Sequence, residues 1–79
     1  MPSAFVLVNT ELGAEKEVLK ALRSIEKVEE AHLIRGVYDI IVRVRAETID
    51  GLREITWSIR KLDGVILAMV LIVMEELAV

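Results

Sequence analysis

Four consecutive residues, Gly36-Val37-Tyr38-Asp39, place a carboxylate and a phenol together at a reversal of the chain. An apolar run lies on each side, Val28 to Ile34 before and Ile40 to Val44 after, so the stretch reads as the tip of a β-hairpin. Asp39 at such a tip can accept hydrogen bonds from a ligand's ammonium group, a charge-assisted contact worth roughly 1.5–3 kcal/mol when shielded from water. Its structural alternative is a turn residue that bonds nearby backbone amides. Tyr38 can line the same pocket or pack with its hydroxyl in water. Gly36 supplies the positive φ of a tight turn, and its bare backbone also lets a ligand or neighbour approach closely.

The remaining polar residues point away from catalysis. His32 is the only histidine and there is no cysteine, so neither a His/Cys metal cluster nor a Cys-His pair can be assembled, and no Ser-His-acid set is found. The first loop, Asn9 to Gly13, contains Glu11 and no arginine, unlike an anion cradle. No enzyme activity, metal or cofactor is expected. Arg43 and Arg45 can pair with Glu30 across the hairpin or with carboxylates of a partner. Trp57 lies about 150° from the centre of its helix's apolar stripe at 100° per residue. It is read either as a contact between dimers or as a ring folded over its own helix flank.

These residues must be held by a very small domain. A 79-residue chain buries only about 60% of its unfolded surface. With 54% hydrophobic residues, it carries more apolar surface than one such core hides, which predicts a homo-oligomer. A net charge of −3 argues against direct nucleic-acid binding, which needs clustered cations. The longest uncharged run, Gly64 to Met74, is too short to span a membrane, and no leader pattern is present. A cytoplasmic location is expected.

Taken in order, Ser3 to Val8 is apolar on both parities and reads as a central first strand. Val18, Leu22 and Ile25 recur at helical spacing within a first helix over Ala14 to Ile25. In the second strand, Val28 to Ile34, alternation puts Ala31 and Leu33 on one face and Val28, Glu30, His32 and Ile34 on the other. In the third, Asp39 to Arg45, Ile40, Val42 and Val44 face the helices and Ile41, Arg43 and Arg45 face away. The same parity puts Tyr38 on the Ile40 side and Asp39 on the other. Thr48 is the expected cap of a second helix with a buried stripe of Ile49, Leu52, Ile55, Ile59 and Leu62, ended at Asp63-Gly64. Gly51, inside its first turn, has no reason visible in the sequence.

The final strand, Val65 to Met74, is apolar on both faces. Two helices cover one face of a four-stranded sheet, so Met69, Leu71 and Val73 are expected to meet the same face of a two-fold partner. Leu77-Ala78-Val79 is read as an added strand or a frayed end. The strand and helix order is that of an α+β, ferredoxin-like βαββαβ domain: a four-stranded antiparallel sheet with two helices on one face. Its two halves share only a pattern.

Four segments in the right order, Ala4 to Val8, Gly36 to Ile40, Ile59 to Val65 and Ile72 to Glu76, resemble the effector-binding and oligomerisation (RAM) domain of the Lrp/AsnC transcription regulators. The resemblance spans nearly the whole chain as one domain, 1–79, without the helix-turn-helix domain of full-length members. It implies sheet-to-sheet dimers, rings of dimers such as octamers, and a small effector, commonly an amino acid, at dimer-dimer contacts near the hairpin. On that basis Gly36, Val37, Tyr38, Asp39, Ala68 and Val70 are candidate ligand contacts. Ile41, Arg43, Trp57, Met69, Leu71 and Val73 are candidate interface residues, and full-length regulators are candidate partners. Where family members often carry strand hydroxyls suited to an effector carboxylate, this chain has Ala68, Met69 and Val70. That difference points to a more apolar effector, to anchoring by backbone alone, or to assembly without a ligand.

Overall fold

The computed structural model describes residues 1–77, so the expectation for Leu77-Ala78-Val79 falls in part outside the described residues. Six elements follow one another: β1 (Ser3–Thr10), α1 (Glu15–Arg23), β2 (Val28–Leu33), β3 (Ile40–Arg45), α2 (Ile49–Arg60) and β4 (Val65–Ile72). The sheet is antiparallel in the order β2-β3-β1-β4. The ferredoxin-like expectation holds, with β1 central as its two apolar parities require. Val73 still donates to the Ser3 carbonyl at 3.0 Å, which holds the chain after β4 beside the start of β1.

The core lies between the sheet and the helices. Ala4, Val6 and Val8 of β1 and Ile40, Val42 and Val44 of β3 are fully or almost fully buried beneath Val18, Leu22, Leu52, Ile55 and Ile59. Full burial of a residue such as Leu22 or Ile59 stabilises the fold by about 1.5–3 kcal/mol. The helices carry their acids first and bases last, Glu15 and Glu17 against Lys20 and Arg23 in α1 and Asp50 against Arg60 in α2, in line with the helix dipole. Thr48 caps α2 as expected, its Oγ1 accepting from Gly51 N at 3.0 Å.

Gly51 now has a reason. A Cβ there would stand 2.9 Å from the Cβ of Ala46, so glycine lets the first turn of α2 press against the end of β3. The predicted α2 stripe needs one correction. Ile49 is 42% exposed, and Thr56 is buried in its stead with its hydroxyl satisfied by the Leu52 carbonyl at 2.9 Å. Ile49 and Thr56 lie on nearly the same face two turns apart, but Ile49 is the first residue of the helix and projects beyond the sheet, whereas Thr56 lies over it.

A second correction concerns β2. The ladder slips between Val28 and Glu30, with Val28 opposite Val44 and Ala31 opposite Val42. Glu29 is the extra residue of a bulge, so Val28 joins Ala31 and Leu33 on the helix face instead of lying opposite them. Glu29 and Glu30 then both reach the arginines of β3: Arg43 Nε lies 3.6 Å and Arg45 Nε 3.4 Å from Glu29, and Arg43 Nη1 lies 3.5 Å from Glu30.

The two halves of the chain share more than a pattern. Val18, Leu22, Val28 and Ala31 in the first correspond to Ile55, Ile59, Val65 and Ala68 in the second, each pair 37 positions apart. The correspondence includes a polar contact. Arg23 at the end of α1 donates to the Ala31 carbonyl (3.4 Å), and Arg60 at the end of α2 donates to the Ala68 carbonyl (3.2 Å).

Candidate functional site

The reversal between β2 and β3 is a six-residue loop, Ile34 to Asp39, rather than a tight turn. Its base is closed by Ile34 N donating to the Asp39 carbonyl (2.9 Å), and it is tied to the centre of the sheet by Asp39 N donating to the Val8 carbonyl (2.9 Å). Gly36 has a positive φ, 156°, as the sequence suggested. Val37 is 85% exposed at the tip.

Within this loop the strand parity does not hold, and the two polar side chains exchange sides. Tyr38 reaches the helix-free face of the sheet, where its hydroxyl donates to Met69 Sδ at 3.6 Å. Asp39 turns towards the end of β1, where its Oδ2 accepts from Thr10 N at 2.8 Å and lies 3.4 Å from Thr10 Oγ1. The physical reason is that alternation of side chains requires an extended, laddered backbone, which ends at Leu33 and resumes at Ile40. Asp39 also lines a shallow depression of about 510 Å3 with Gly13, Glu15, Lys16, Leu33 and Ile34. Lys16 and Glu15 give that depression both signs of charge, and Leu33 and Ile34 give it an apolar wall. The sequence showed no signal for Lys16, which enters only because the start of α1 packs beside the loop.

The six candidate ligand contacts do not converge within one chain. Gly36, Val37, Tyr38 and Asp39 share the loop. Ala68 is 4% exposed on the helix face, and Val70 lines a groove between β4 and α2.

The interface candidates divide in two. Ile41, Arg43, Met69 and Leu71 lie on the helix-free face together with Phe5, Leu7 and Leu67, and Val73 follows at its end. Met69 and Leu71 are 40% and 47% exposed although they sit in the middle of a strand. The face is apolar along β1 and β4 and charged along β2 and β3, where Arg43 also lies 5.9 Å from the Phe5 ring centre. The His32 ring, 3.2 Å from Glu30, and the Arg43 guanidinium hold the Glu30 carboxyl below its ordinary range, against a smaller opposing effect of desolvation. Trp57 is on the other side of the molecule, 58% exposed on α2, with Lys61 Nζ 5.4 Å from its ring centre. Among the described residues no group of three or more His, Cys, Asp or Glu side chains could hold a metal ion, and no helix is long and apolar enough to cross a membrane.

Comparison with known proteins places this geometry. A solved structure of a hypothetical protein from Pyrococcus horikoshii is 36% identical, with a TM-score of 0.86 over 96% of this chain and 93% of that one. A Thermus thermophilus protein superposes with a TM-score of 0.93 at 24% identity over 99% of both chains. Escherichia coli AsnC superposes at 0.91 with 24% identity over 99% of this chain, which spans 54% of AsnC. No curated protein sequence matches the chain. The model of the Lrp/AsnC ligand binding domain matches residues 3–78, and the chain belongs to that family.

Proposed function

We propose that this domain senses a small effector by assembling. Two copies join through their helix-free sheet faces, and further association encloses an amino acid or related metabolite at the loop Ile34 to Asp39. The observation that carries this reading is the mid-strand exposure of Met69 and Leu71 beside Phe5 and Ile41, an apolar surface that a single chain leaves in water. Tyr38 links the effector loop to that surface through Met69. Ligand binding and assembly are thereby coupled: a ligand held better by one assembly state shifts the population towards it. Asp39 Oδ2 is engaged by Thr10, so a ligand's ammonium would use Oδ1, with Lys16 of the same depression available to its carboxylate.

A second reading, in which the domain co-assembles with full-length Lrp/AsnC regulators and holds no ligand, is favoured by the burial of Ala68 and the internal use of Asp39. Titration calorimetry against the common amino acids separates the two. Heat with saturable stoichiometry in the wild type, lost in Asp39→Asn, supports the sensor. No heat with any amino acid, together with recovery of a regulator by the tagged domain, supports the second.

A further inference from the structure

The outer edge of β4 is incompletely covered, and its free groups are countable. Val73 N donates to the carbonyl of Ser3, which stands opposite it in the ladder register, so the next pair, Ala4 and Ile72, is non-hydrogen-bonded. Alternation along the ladder makes Val6–Val70 and Val8–Ala68 pairs of the same kind. The N–H and C=O groups of Ala68, Val70 and Ile72 therefore point away from β1, to the edge of the sheet. At Ala68 the carbonyl is taken by Arg60. At Val70 and Ile72 the edge runs along a groove of about 400 Å3, walled on the α2 side by Leu52, Thr56 and Trp57 and flanked by Arg53 and Arg60.

We infer that this groove receives residues Met74 to Leu77 of a second copy, added as a short strand against Val70 and Ile72. The segment has the complementary chemistry. Met74 and Leu77 are 91% and 83% exposed, and Glu75 and Glu76 between them are exposed. Among the described residues neither acid has an ion-pair partner. The acceptor side offers an indole, two aliphatic side chains and two guanidinium groups; among the described residues Arg53 pairs only with the exposed Asp50, at 3.7 Å. Backbone pairing on an edge strand supplies affinity, and the pockets beside it supply selection. Arg60 sets the limit of the added strand, because the Ala68 carbonyl is already bonded. The contact lies at the β4 edge of the sheet, towards α2, and leaves the helix-free face uncovered, so it extends an assembly that the sheet face begins.

Trp57 is the only tryptophan and lines this groove as well as the outer surface of α2 beside Glu54 and Ser58, so its emission is read together with the charge-reversed variants. In wild-type protein its emission shifts to the blue as concentration rises, in parallel with growth of species beyond the dimer in sedimentation velocity. Glu75→Arg with Glu76→Arg raises the concentration at the midpoint of that shift about tenfold or more. Adding Arg53→Glu restores it towards the wild-type value. Met74→Pro removes a backbone donor and abolishes the shift while far-ultraviolet circular dichroism is unchanged. An emission independent of concentration, or a charge-reversed variant that associates as the wild type does, overturns the proposal. Neither result touches the sheet-face dimer, which fails separately if Met69→Asp leaves the dimer intact.

Discussion

Asp39 has a duty inside the fold besides the ligand contact proposed above. Its carboxylate satisfies the Thr10 amide at the end of β1, so Asp39→Ala removes an acceptor from a part-buried donor and lowers stability by about 1–2 kcal/mol. Asp39→Asn keeps an acceptor there. Urea denaturation is expected to show a clear fall in midpoint for the alanine variant and little for asparagine, which makes asparagine the variant that tests ligand binding. Gly51→Ala gives an equally local result. Alanine gains roughly 1 kcal/mol of helix propensity, but its methyl meets Ala46 at 2.9 Å. Overpacking of this kind destabilises by about 1–3 kcal/mol, so the melting temperature falls rather than rises. At Glu30 the folded-state carboxyl titrates below its ordinary value, so its contribution is present above the unfolded value and lost as pH falls through the folded one. His32→Ala moves the titration of Glu30 upwards, read from its side-chain carboxyl resonance in NMR. At this scale the sequence was legible wherever a side chain answered to local spacing, as at Thr48. Tyr38, Asp39 and Gly51 were not legible, because their neighbours Met69, Thr10 and Ala46 are chosen by the folded chain.

The elements follow their periodicities closely, and each departure has a cause in pairing. All six are present in the expected order, since strict alternation in β3 and an i, i+3, i+4 stripe in α2 admit no other assignment. The bulge at Glu29 is invisible to alternation, which counts residues and not ladder partners. It gains a second carboxylate for Arg43 and Arg45 on the helix-free face. The matching arginines Arg23 and Arg60 act on the two edge strands. Each bonds an outward carbonyl that would otherwise offer a pairing site. Arg60→Met keeps the aliphatic stem and frees the Ala68 carbonyl. The expected outcome is a longer available edge and faster self-association on warming, followed by light scattering, with little change in the unfolding midpoint.

At the scale of the whole molecule, the apolar excess counted in the composition becomes a located surface: Phe5, Leu7, Ile41, Leu67, Met69 and Leu71 on a sheet with helices on one side only. The proposed sheet-face dimer predicts that Met69→Asp or Leu71→Asp lowers the mass seen in sedimentation equilibrium towards that of a single chain, 8.9 kDa. The candidate effector site was half legible, since the loop was identified from its residues while Lys16 and the separation of Ala68 from the loop emerged only on folding. The Ser3–Val73 hydrogen bond has a consequence of another kind. Because it brings the end of β4 beside the start of β1, a short linker could join them, and the chain could be opened instead between Gly36 and Val37. The permuted order, β3-α2-β4-β1-α1-β2, is again βαββαβ, so the rearranged gene would encode the same sheet. Such a permutant should unfold cooperatively, yet its two new ends would lie within the loop Ile34 to Asp39, where the effector is proposed to bind. Folding and the proposed sensing would then be separated by connectivity alone.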